Sequence, residues 1–297
     1  MWTEIAKHIA KVTEKEFSVN HRRSVSGGCI NQGYAVTGET STYFVKLNQA
    51  SLVAMFEAEA LGLQQMLETA TILVPKPICW GTANESAYLV LEWLELGSGD
   101  TKSWEEMGSQ LAAMHSATSS KGFGWEQNNT IGATQQINTW TADWAEFYTQ
   151  HRLGEQFQRA LRRGGHFPQQ ETLLAAIPQL LTNHQPQPSL VHGDLWGGNV
   201  ACTVLGPVIF DPAVYFGDRE VDIAMTELFG GFPAAFYRAY NEVFRLNPGY
   251  ERRKTLYNLY HILNHFNLFG GGYEAQANRM IKQLLKYEGN KEINHGR

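Results

Sequence analysis

Positive charge is scarce in this sequence of 297 residues. It contains 24 lysine and arginine residues against 29 aspartate and glutamate residues, which gives a formal net charge of -5. No basic block of the kind that binds nucleic-acid phosphates occurs along the chain. The composition therefore argues against a nucleic-acid-binding protein, and its mild acidic excess is compatible with a cationic substrate.

Cysteine is also rare, with three residues at Cys29, Cys79 and Cys202. Their odd number and wide spacing argue against a disulfide framework and favour a reducing compartment. No two of them have the spacing of a metal site. Neither structural disulfides nor a cysteine-bound metal is expected.

Long hydrophobic runs are missing as well. No uninterrupted apolar segment reaches the length that spans a bilayer. The first residues, MWTEIAKHIAKVTEKEF, carry charges inside their apolar periodicity, unlike the continuous core of a secretory signal. We therefore expect a cytoplasmic protein without a membrane partner.

The most informative segment covers residues 189–213, SLVHGDLWGGNVACTVLGPVIFDPA. Asn199 follows Asp194 by five residues, and a short β-like run ends at Asp211. In phosphoryl transfer one aspartate accepts the hydroxyl proton, while an asparagine and a second aspartate hold Mg²⁺ on the phosphates. The spacing matches the kinase motif H-R-D-x-x-x-x-N, with Gly193 in place of arginine and DPA in place of DFG. Both departures indicate a small-molecule phosphotransferase rather than a protein kinase.

An ordinary turn is the alternative explanation for HGD, because Asp after Gly is common in turns. The catalytic interpretation depends on the combination of HGDLWGGN, a β-run and DPA. Within it, His192 is predicted to fix the loop by hydrogen bonding rather than to carry a proton.

The first hundred residues are predicted to form a small β-rich lobe. Short β-like runs alternate with glycine turns, and the turn SGGCIN offers backbone amides that can surround a phosphate, although Gly-Gly is often only a turn. Lys46 lies in an apolar strand, and Glu59 lies on the apolar stripe of a helix over residues 51–67. An inward carboxylate needs a partner, so Lys46 and Glu59 are predicted to pair. Glu57, on a less apolar face, is the competing partner, and two separate surface charges are the other alternative.

A lobe boundary is predicted where the apolar strand AYLVLEWL ends at the glycine-rich GSG. The lobes would comprise residues 1–96 and 97–297, and the second is predicted to be mainly helical. In it, Ser103 is expected to cap a helix, residues 118–140 to form an inserted polar loop, and Asn247 and Pro248 to begin another helix. His261 and His265, four residues apart, have a metal-binding spacing, but neither a neighbouring Glu nor a third ligand accompanies them.

These motifs together resemble the fructosamine-3-kinase, or ketosamine-3-kinase, family, which is related to aminoglycoside and choline phosphotransferases. The resemblance covers nearly the whole chain. Its most specific parts are the tryptophan in HGDLWGGN and the run MFEAEALGL; the others include SGGCIN, YFVKLN, VPKPICWG, FDPAVYFGDREVDIAM, FGGFP and LNHFNLFG.

The resemblance implies an α+β, two-lobed protein-kinase-like fold with a small β-rich first lobe and a larger helical second lobe. It implies ATP- and Mg²⁺-dependent phosphorylation of the 3-hydroxyl of ketoamines, free or on glycated protein lysines, which leads to deglycation. A related kinase acting on an aminoglycoside, choline or another small alcohol, and a silent nucleotide-binding module, are the alternatives. Oligomeric state is open between a monomer and a weak dimer.

Residue roles follow from the same resemblance. The base would be Asp194 and the Mg²⁺ ligands Asn199 and Asp211, with Asp222 bracing the catalytic loop. The ATP-binding residues would be Gly27, Gly28 and Cys29 over the phosphates, Lys46 and Glu59 as the positioning pair, and Glu92, Trp93 and Leu94 at the adenine. The substrate pocket is expected to include Trp196, Phe216, Asp218, His265 and Asn267, with an acidic residue there binding the ammonium group. The loop cysteine, Cys29, is either redox-sensitive or an inert residue of the turn.

Overall fold

The computed structural model describes residues 1–25 and 30–294, with side chains described up to residue 286. Its helices are α1 (Trp2–Thr13), α2 (Val53–Glu68), α3 (Thr101–Met114), α4 (Trp144–Phe147), α5 (Glu155–Arg162), α6 (Gln170–Leu180), α7 (Glu220–Leu228), α8 (Ala234–Val243), α9 (Tyr250–Phe269) and α10 (Tyr273–Asn294). The strands are β1 (His21–Val25), β2 (Gln32–Thr37), β3 (Thr42–Gln49), β4 (Pro77–Ala83), β5 (Ser86–Glu92), β6 (Asn129–Ile131), β7 (Thr134–Gln136), β8 (Ser189–Val191), β9 (Val200–Thr203), β10 (Gly206–Ile209) and β11 (Tyr215–Gly217). A 3₁₀ turn precedes α2, and a π-helical segment, Tyr148–Gly154, joins α4 to α5. None of the helices in the described part of the chain is long and apolar enough to cross a membrane.

The chain divides into two compact units. The first unit comprises Met1–Met114, Gly198–Ala213 and Pro233–Val243, and the second comprises His115–Gly197, Val214–Phe232 and Phe244–Arg297. The first unit is built on an antiparallel sheet with the strand order β1-β2-β3-β5-β4. Its core forms because apolar residues of α1, such as Ile5 and Ile9, pack on inward residues of the strands, such as Val45 and Val90.

The first unit also recruits later parts of the chain. The β9–β10 hairpin joins it through paired backbone hydrogen bonds between Gly97 and Cys202, at 2.7 and 2.9 Å. Helix α3 packs closely on α8, where a Cβ at Gly108 would lie 2.3 Å from the carbonyl oxygen of Phe236. These long-range contacts join segments on both sides of the lobe boundary that we predicted between residues 96 and 97. The division into lobes at that point stays a prediction.

The second unit surrounds α9. Most of this helix is buried, and α5, α7 and α10 pack against it. Two short strands, β8 and β11, pair antiparallel, and β8 leads into the loop that carries Asp194. The polar segment that we predicted as an inserted loop contains the β6–β7 hairpin, and its Asn129, Gln136 and Asn138 are buried.

Two predicted helix N-termini were wrong. Helix α3 begins at Thr101, and Asp100 provides the capping side chain by accepting hydrogen bonds from the N–H and hydroxyl of Ser103, both at 2.9 Å. Helix α9 begins after Gly249, whose φ of 85° is left-handed, so Asn247 and Pro248 lie before the helix. The side chain of Asp100 therefore caps α3 in place of Ser103, whereas Gly249 begins α9 without a side-chain cap.

Candidate active site

Lys46 and Glu59 form an ion pair in the first unit. Lys46 lies on β3, between β2 and β5, and its Nζ lies 2.5 Å from Glu59 Oε1 on α2. The strand alternation and the helical period both point these side chains inward. Glu57 is exposed, so it is not the partner. The predicted pairing is therefore confirmed, while its role toward phosphates remains a prediction.

The same ammonium group contacts a second carboxylate. Lys46 Nζ lies 2.6 Å from Asp211 Oδ1, so one buried cation bridges two anions. Burial lowers the pKa of Lys46, but Asp211 and Glu59 outweigh that effect and raise it above its ordinary range. Burial raises the pKa of Glu59, against the effect of Lys46. Lys46 therefore stays protonated and holds the two carboxylates together.

Asp211 has an unusual backbone conformation for a residue with a side chain. Its φ is 56°, in the left-handed region, which Asp tolerates better than most residues. Such conformations concentrate at functional sites. The carboxylate is partly exposed beyond its contact with Lys46, so it retains an oxygen for another partner.

Asn199 and Asp211 flank the β9–β10 hairpin. Asn199 immediately precedes β9, and its carbonyl accepts a hydrogen bond of 3.0 Å from the N–H of Phe210, which directly precedes Asp211. The hairpin thereby brings the two predicted metal ligands to one end. Carboxylate and amide oxygens are hard donors that suit Mg²⁺, so the residues present fit this ion.

The predicted phosphate loop is only partly described. Gly27, Gly28 and Cys29 lie outside the described residues. On its C-terminal side, the Asn48 side chain donates hydrogen bonds to Ile30 O at 3.2 Å and to Asn31 Oδ1 at 2.8 Å. The segment that follows the loop is therefore attached to β3, the strand of Lys46.

The predicted adenine contacts begin at the end of β5. The N–H of Glu92 donates to the carbonyl of Lys76 at 2.9 Å, and Glu92 Oε1 accepts from the N–H of Lys76 at 2.8 Å. The indole N–H of Trp93 donates to Glu95 Oε1, and the Arg23 guanidinium lies over the Trp93 ring. Because the Glu92 N–H is engaged, adenine recognition would depend on the Glu92 carbonyl and on the backbone of Trp93 and Leu94.

Asp222 organises the loop that carries Asp194 in the second unit. Its carboxylate accepts hydrogen bonds from the N–H of His192 at 2.7 Å, the N–H of Gly193 at 2.8 Å and Nε2 of His115 at 3.0 Å. Burial raises the pKa of Asp222, but its hydrogen bond with His115 and the other bonds outweigh burial and hold it below its usual range. The loop is therefore fixed by an ionised carboxylate beneath it.

Gly193 and His192 complete the geometry of this loop. Gly193 has a φ of 83°, which favours glycine at the position where protein kinases have arginine. The fully buried ring of His192 accepts a 3.2 Å hydrogen bond from the N–H of Asp194 through Nδ1. This contact agrees with the loop-fixing role that we predicted for His192.

An aromatic ledge follows Asp194 in the second unit. We define it by five rings: Trp196 contacts Phe229, Phe229 contacts His265, and His265 contacts both Phe269 and Tyr273. Trp196 is 40% exposed and Phe229 is 39% exposed. The centroid of the Phe229 ring lies 6.4 Å from that of Trp196 and 5.0 Å from that of His265. Two predicted pocket residues, Trp196 and His265, therefore meet through Phe229.

His265 is a neutral member of this ledge. Burial lowers the pKa of its imidazole, and the bond to His261 opposes that effect. Its Nδ1 donates to the carbonyl oxygen of His261 at 2.8 Å. The ledge therefore presents uncharged ring surfaces beside the loop of Asp194.

Asp218 does not belong to this ledge, and its contacts argue against the predicted binding of the substrate's ammonium group. It is buried between β11 and α7, and its Oδ2 accepts from His184 Nε2 and from the Tyr257 hydroxyl, each at 2.5 Å. Burial raises the pKa of Asp218, but these bonds outweigh burial and hold it low. Asp218 therefore has its partners inside the protein.

The neighbouring Glu220 closes this buried network. Glu220 accepts two hydrogen bonds from the Arg253 guanidinium, at 2.7 and 2.9 Å. His184, Asp218 and Glu220 form the group with ligand-like geometry among the described residues. Because Arg253 and Tyr257 occupy their oxygens, the group is an internal ionic network that joins α7 to α9.

Phe216 and Asn267 take no part in the ledge contacts, and their place in the substrate pocket stays a prediction. The buried Phe216 ring packs on Trp140, with centroids 6.0 Å apart. Asn267 donates to the backbone carbonyl and side-chain oxygen of Gln156. Both side chains are used in packing or in hydrogen bonds within the second unit.

Sequence reasoning missed two residues at this site. His115, which bonds to Asp222, directly follows α3 at the end of the sequence LAAMH. Its position after an apolar helical stripe was the only sequence signal that could have identified it. Phe229 connects Trp196 to His265, and the motif FGGFP placed an aromatic residue before a flexible turn. Neither signal identifies a spatial neighbour in the absence of tertiary structure.

Comparison with known proteins gives consistent results. Residues 1–287 match the family model described as fructosamine kinase. A probable ketoamine kinase of Synechocystis is 58% identical over 96% of this chain and 97% of its own length. The chloroplastic protein-ribulosamine 3-kinase of Arabidopsis thaliana is 45% identical over 89% of this chain and 82% of its own length.

Solved structures support the fold. A Haemophilus somnus protein assigned as a fructosamine-3-kinase has a TM-score of 0.91 and 31% identity, covering 96% of this chain and 98% of its own. An aminoglycoside phosphotransferase has a TM-score of 0.62 at 15% identity, covering 95% of this chain and 99% of its own. The latter likeness shows the fold alone, and the predicted kinase-like α+β fold is confirmed.

Proposed function

Because the chain belongs to the fructosamine kinase family, we propose that it transfers the γ-phosphoryl group of ATP to the 3-hydroxyl of a ketoamine. A ketoamine is the adduct that a sugar forms with an amine. The observation that carries this proposal is the family match over residues 1–287. The Lys46 bridge to Glu59 and Asp211 supports it, because kinases use such a lysine to position phosphates.

Asp194 is the proposed general base. A carboxylate next to the attacking hydroxyl accepts its proton as the bond to phosphorus forms. The loop that carries Asp194 is fixed at His192 and Gly193 by the carboxylate of Asp222. A fixed loop supports this role, since positioning contributes much of the rate in phosphoryl transfer.

Asn199 and Asp211 are the proposed ligands of Mg²⁺. When bound, the ion would neutralise the negative charge that develops on the phosphates. Asp211 would offer the carboxylate oxygen that Lys46 does not occupy, and Asn199 its amide oxygen. Lys46, held by Glu59, would contact the phosphates directly.

The remaining nucleotide contacts are proposed from the family resemblance. Gly27, Gly28 and Cys29 would cover the phosphates through backbone amides. The adenine edge would meet the Glu92 carbonyl and the backbone of Trp93 and Leu94. We also propose that Cys29 has a redox role. The protein is proposed to be a monomer or a weak dimer in the cytoplasm.

Trp196 and His265 are the substrate contacts that we retain from the predicted pocket. A ketoamine derived from a primary amine contains a secondary ammonium group, and aromatic faces attract such cations. Trp196 lies two residues after Asp194 along the chain, and Phe229 connects its ring to that of His265. We propose that a five-carbon adduct, a ribulosamine, is the preferred substrate and that its phosphorylation leads to release of the sugar.

The first experiment measures ATP consumption by purified protein with Mg²⁺. A ribulosamine, a fructosamine and kanamycin are offered in parallel, and NMR locates the new phosphate. Phosphate on O3 of a ketoamine supports the proposal, whereas activity on kanamycin alone contradicts the substrate class. An Asp194→Asn variant should lose roughly 10²- to 10⁴-fold in kcat if Asp194 is the base.

A further inference from the structure

Helix α9 presents three polar residues at helical spacing. Asn258, His261 and His265 recur every three or four residues, so they share one side of the helix. His265 belongs to the aromatic ledge, and His261 lies about 6 Å from it along the axis, given the helical rise per residue. This row leads from the ledge into the interior of the second unit.

Two atoms in this row lack a protein hydrogen-bond partner among the described residues. They are Asn258 Oδ1 and His261 Nδ1, and both are buried. Asn258 as a whole is 6% exposed and His261 is 3% exposed. A buried polar atom without a partner destabilises a protein by about 1 to 3 kcal/mol, so such atoms need an explanation.

The His261 imidazole is neutral. Burial lowers its pKa to about 3, and His265 contributes in the same direction, against the opposing effect of the Asp222 carboxylate. Its backbone carbonyl accepts the 2.8 Å hydrogen bond from His265 Nδ1, which places it one helical turn from the aromatic ledge. A neutral imidazole has one donor and one acceptor nitrogen, and an amide has both kinds of atom.

A metal site does not explain these atoms. His265 Nδ1 donates to the His261 carbonyl, and neither histidine belongs to the ligand-like group found among the described residues. Hydroxyl groups do explain them, because a hydroxyl donates one hydrogen bond and accepts others. A sugar chain carries several such groups in a row.

We propose that Asn258 and His261 form a sugar subsite that binds the ketoamine's distal hydroxyls, those at C5 and beyond. This inference rests on the proposed function and specifies which part of the substrate the second unit recognises. The subsite selects five- and six-carbon adducts over a four-carbon adduct, which has no hydroxyl at C5. Because both side chains are neutral at assay pH, this selection is the same at pH 6 and pH 8.

The test compares kcat/KM for four-, five- and six-carbon ketose adducts of one amine. The variants are Asn258→Leu and His261→Phe, which keep approximate size and remove the polar atoms. Gln170→Leu is the matched control, because Gln170 Oε1 is also buried without a partner but lies on α6. For a variant that folds poorly, Asn258→Ser or His261→Gln replaces it, and the ratio between adducts does not depend on the folded fraction.

The expected result is a roughly tenfold fall in the five- to four-carbon ratio of kcat/KM in each α9 variant, the loss of about one hydrogen bond. The Gln170→Leu ratio should equal that of the wild type. Ratios within twofold of wild type in both α9 variants, even with lower stability, would overturn the subsite. A wild-type protein that phosphorylates none of the adducts would instead overturn the proposed function, and the subsite with it.

Discussion

Lys46 Nζ lies 2.6 Å from Asp211 Oδ1, although the two residues are 165 positions apart in the chain. The same Nζ lies 2.5 Å from Glu59 Oε1. One buried cation therefore ties β3, α2 and the segment after β10 together within the first unit. A lysine in this position both stabilises the unit and places charge where the proposed reaction needs it.

Replacement of Lys46 by methionine should reduce stability in a pH-dependent manner. Without its cation, the buried Glu59 should have a pKa raised further above its unfolded value. A carboxyl with a raised folded pKa favours folding at low pH and loses that contribution as pH rises through its folded pKa. We expect Lys46→Met to lose about 3 to 5 kcal/mol at pH 8 and less at pH 5.

Urea unfolding at pH 5 and pH 8 checks this result. The double variant Lys46→Met/Glu59→Gln is the control, since it removes the titrating group and should lose little of its stability between the two pH values. An equal loss at both pH values in Lys46→Met would show that Glu59 does not carry the effect.

Replacement of Asp222 by asparagine should lower kcat more than it raises the KM for ATP. Asparagine keeps one acceptor oxygen, but its NH₂ group cannot accept, so at least one of the N–H groups of His192 and Gly193 loses its partner and the loop of Asp194 is less well supported. We expect a destabilisation of about 1 to 3 kcal/mol and at least a tenfold fall in kcat. Steady-state kinetics with both substrates measures the two parameters.

Acidification provides a second readout for Asp222. Its folded pKa is lowered, so its contribution to stability is present above an unfolded pKa near 4 and is lost as pH falls toward the folded value. When the pH is lowered below 4, the free energy of unfolding should therefore fall less in Asp222→Asn than in the wild type. The control is His115→Asn, which keeps the backbone hydrogen bonds of His192 and Gly193 to Asp222. If His115→Asn had a kcat as low as that of Asp222→Asn, our account of the loop would be contradicted.

Local sequence patterns predicted many of the helices and strands and the pair of Lys46 and Glu59, because such patterns depend on residues that are close together in the chain. Strand alternation placed Lys46 inward, and the helical period placed Glu59 on the facing stripe. The spacing of Asp194, Asn199 and Asp211 indicated the chemistry for the same reason. The structure contains the pair of Lys46 and Glu59, whereas the chemistry indicated by this spacing stays a prediction.

Tertiary contacts decided what the sequence could not predict. The polar composition of residues 118–140 indicated a surface loop, but Arg152 donates to Asn138 Oδ1 at 2.8 Å, and Asn138 donates to Asn129 Oδ1 at 2.9 Å. Buried polar residues satisfy one another there through partners distant in the chain. The inward position of Asp218 has the same origin, since His184 and Tyr257 are far from it in sequence.

Replacement of Asp218 by asparagine should affect stability rather than substrate charge recognition. The change removes a charge-assisted bond with His184 and weakens that with Tyr257, so we expect a loss of about 2 to 4 kcal/mol. KM for a cationic ketoamine and for its uncharged N-acylated analogue should stay in the wild-type ratio. Tyr257→Phe, which removes the bond to Asp218 and leaves Trp144 Nε1 without its acceptor, should lose about 1 to 3 kcal/mol. A selective rise in KM for the cationic adduct would restore Asp218 as an ammonium ligand.

Replacement of Trp196 by alanine should raise the KM for a ketoamine about tenfold and leave the KM for ATP unchanged. The ring is 40% exposed and contacts the rest of the aromatic ledge through Phe229, so its loss should change stability by less than about 1 kcal/mol. Val204→Ala is the control, because Val204 is an exposed apolar residue, 99% accessible, on the turn between β9 and β10. If Trp196→Ala raised both KM values equally, the ledge would not be specific for the ketoamine. A rise that is larger for cationic than for N-acylated adducts would further assign the aromatic faces to the ammonium group.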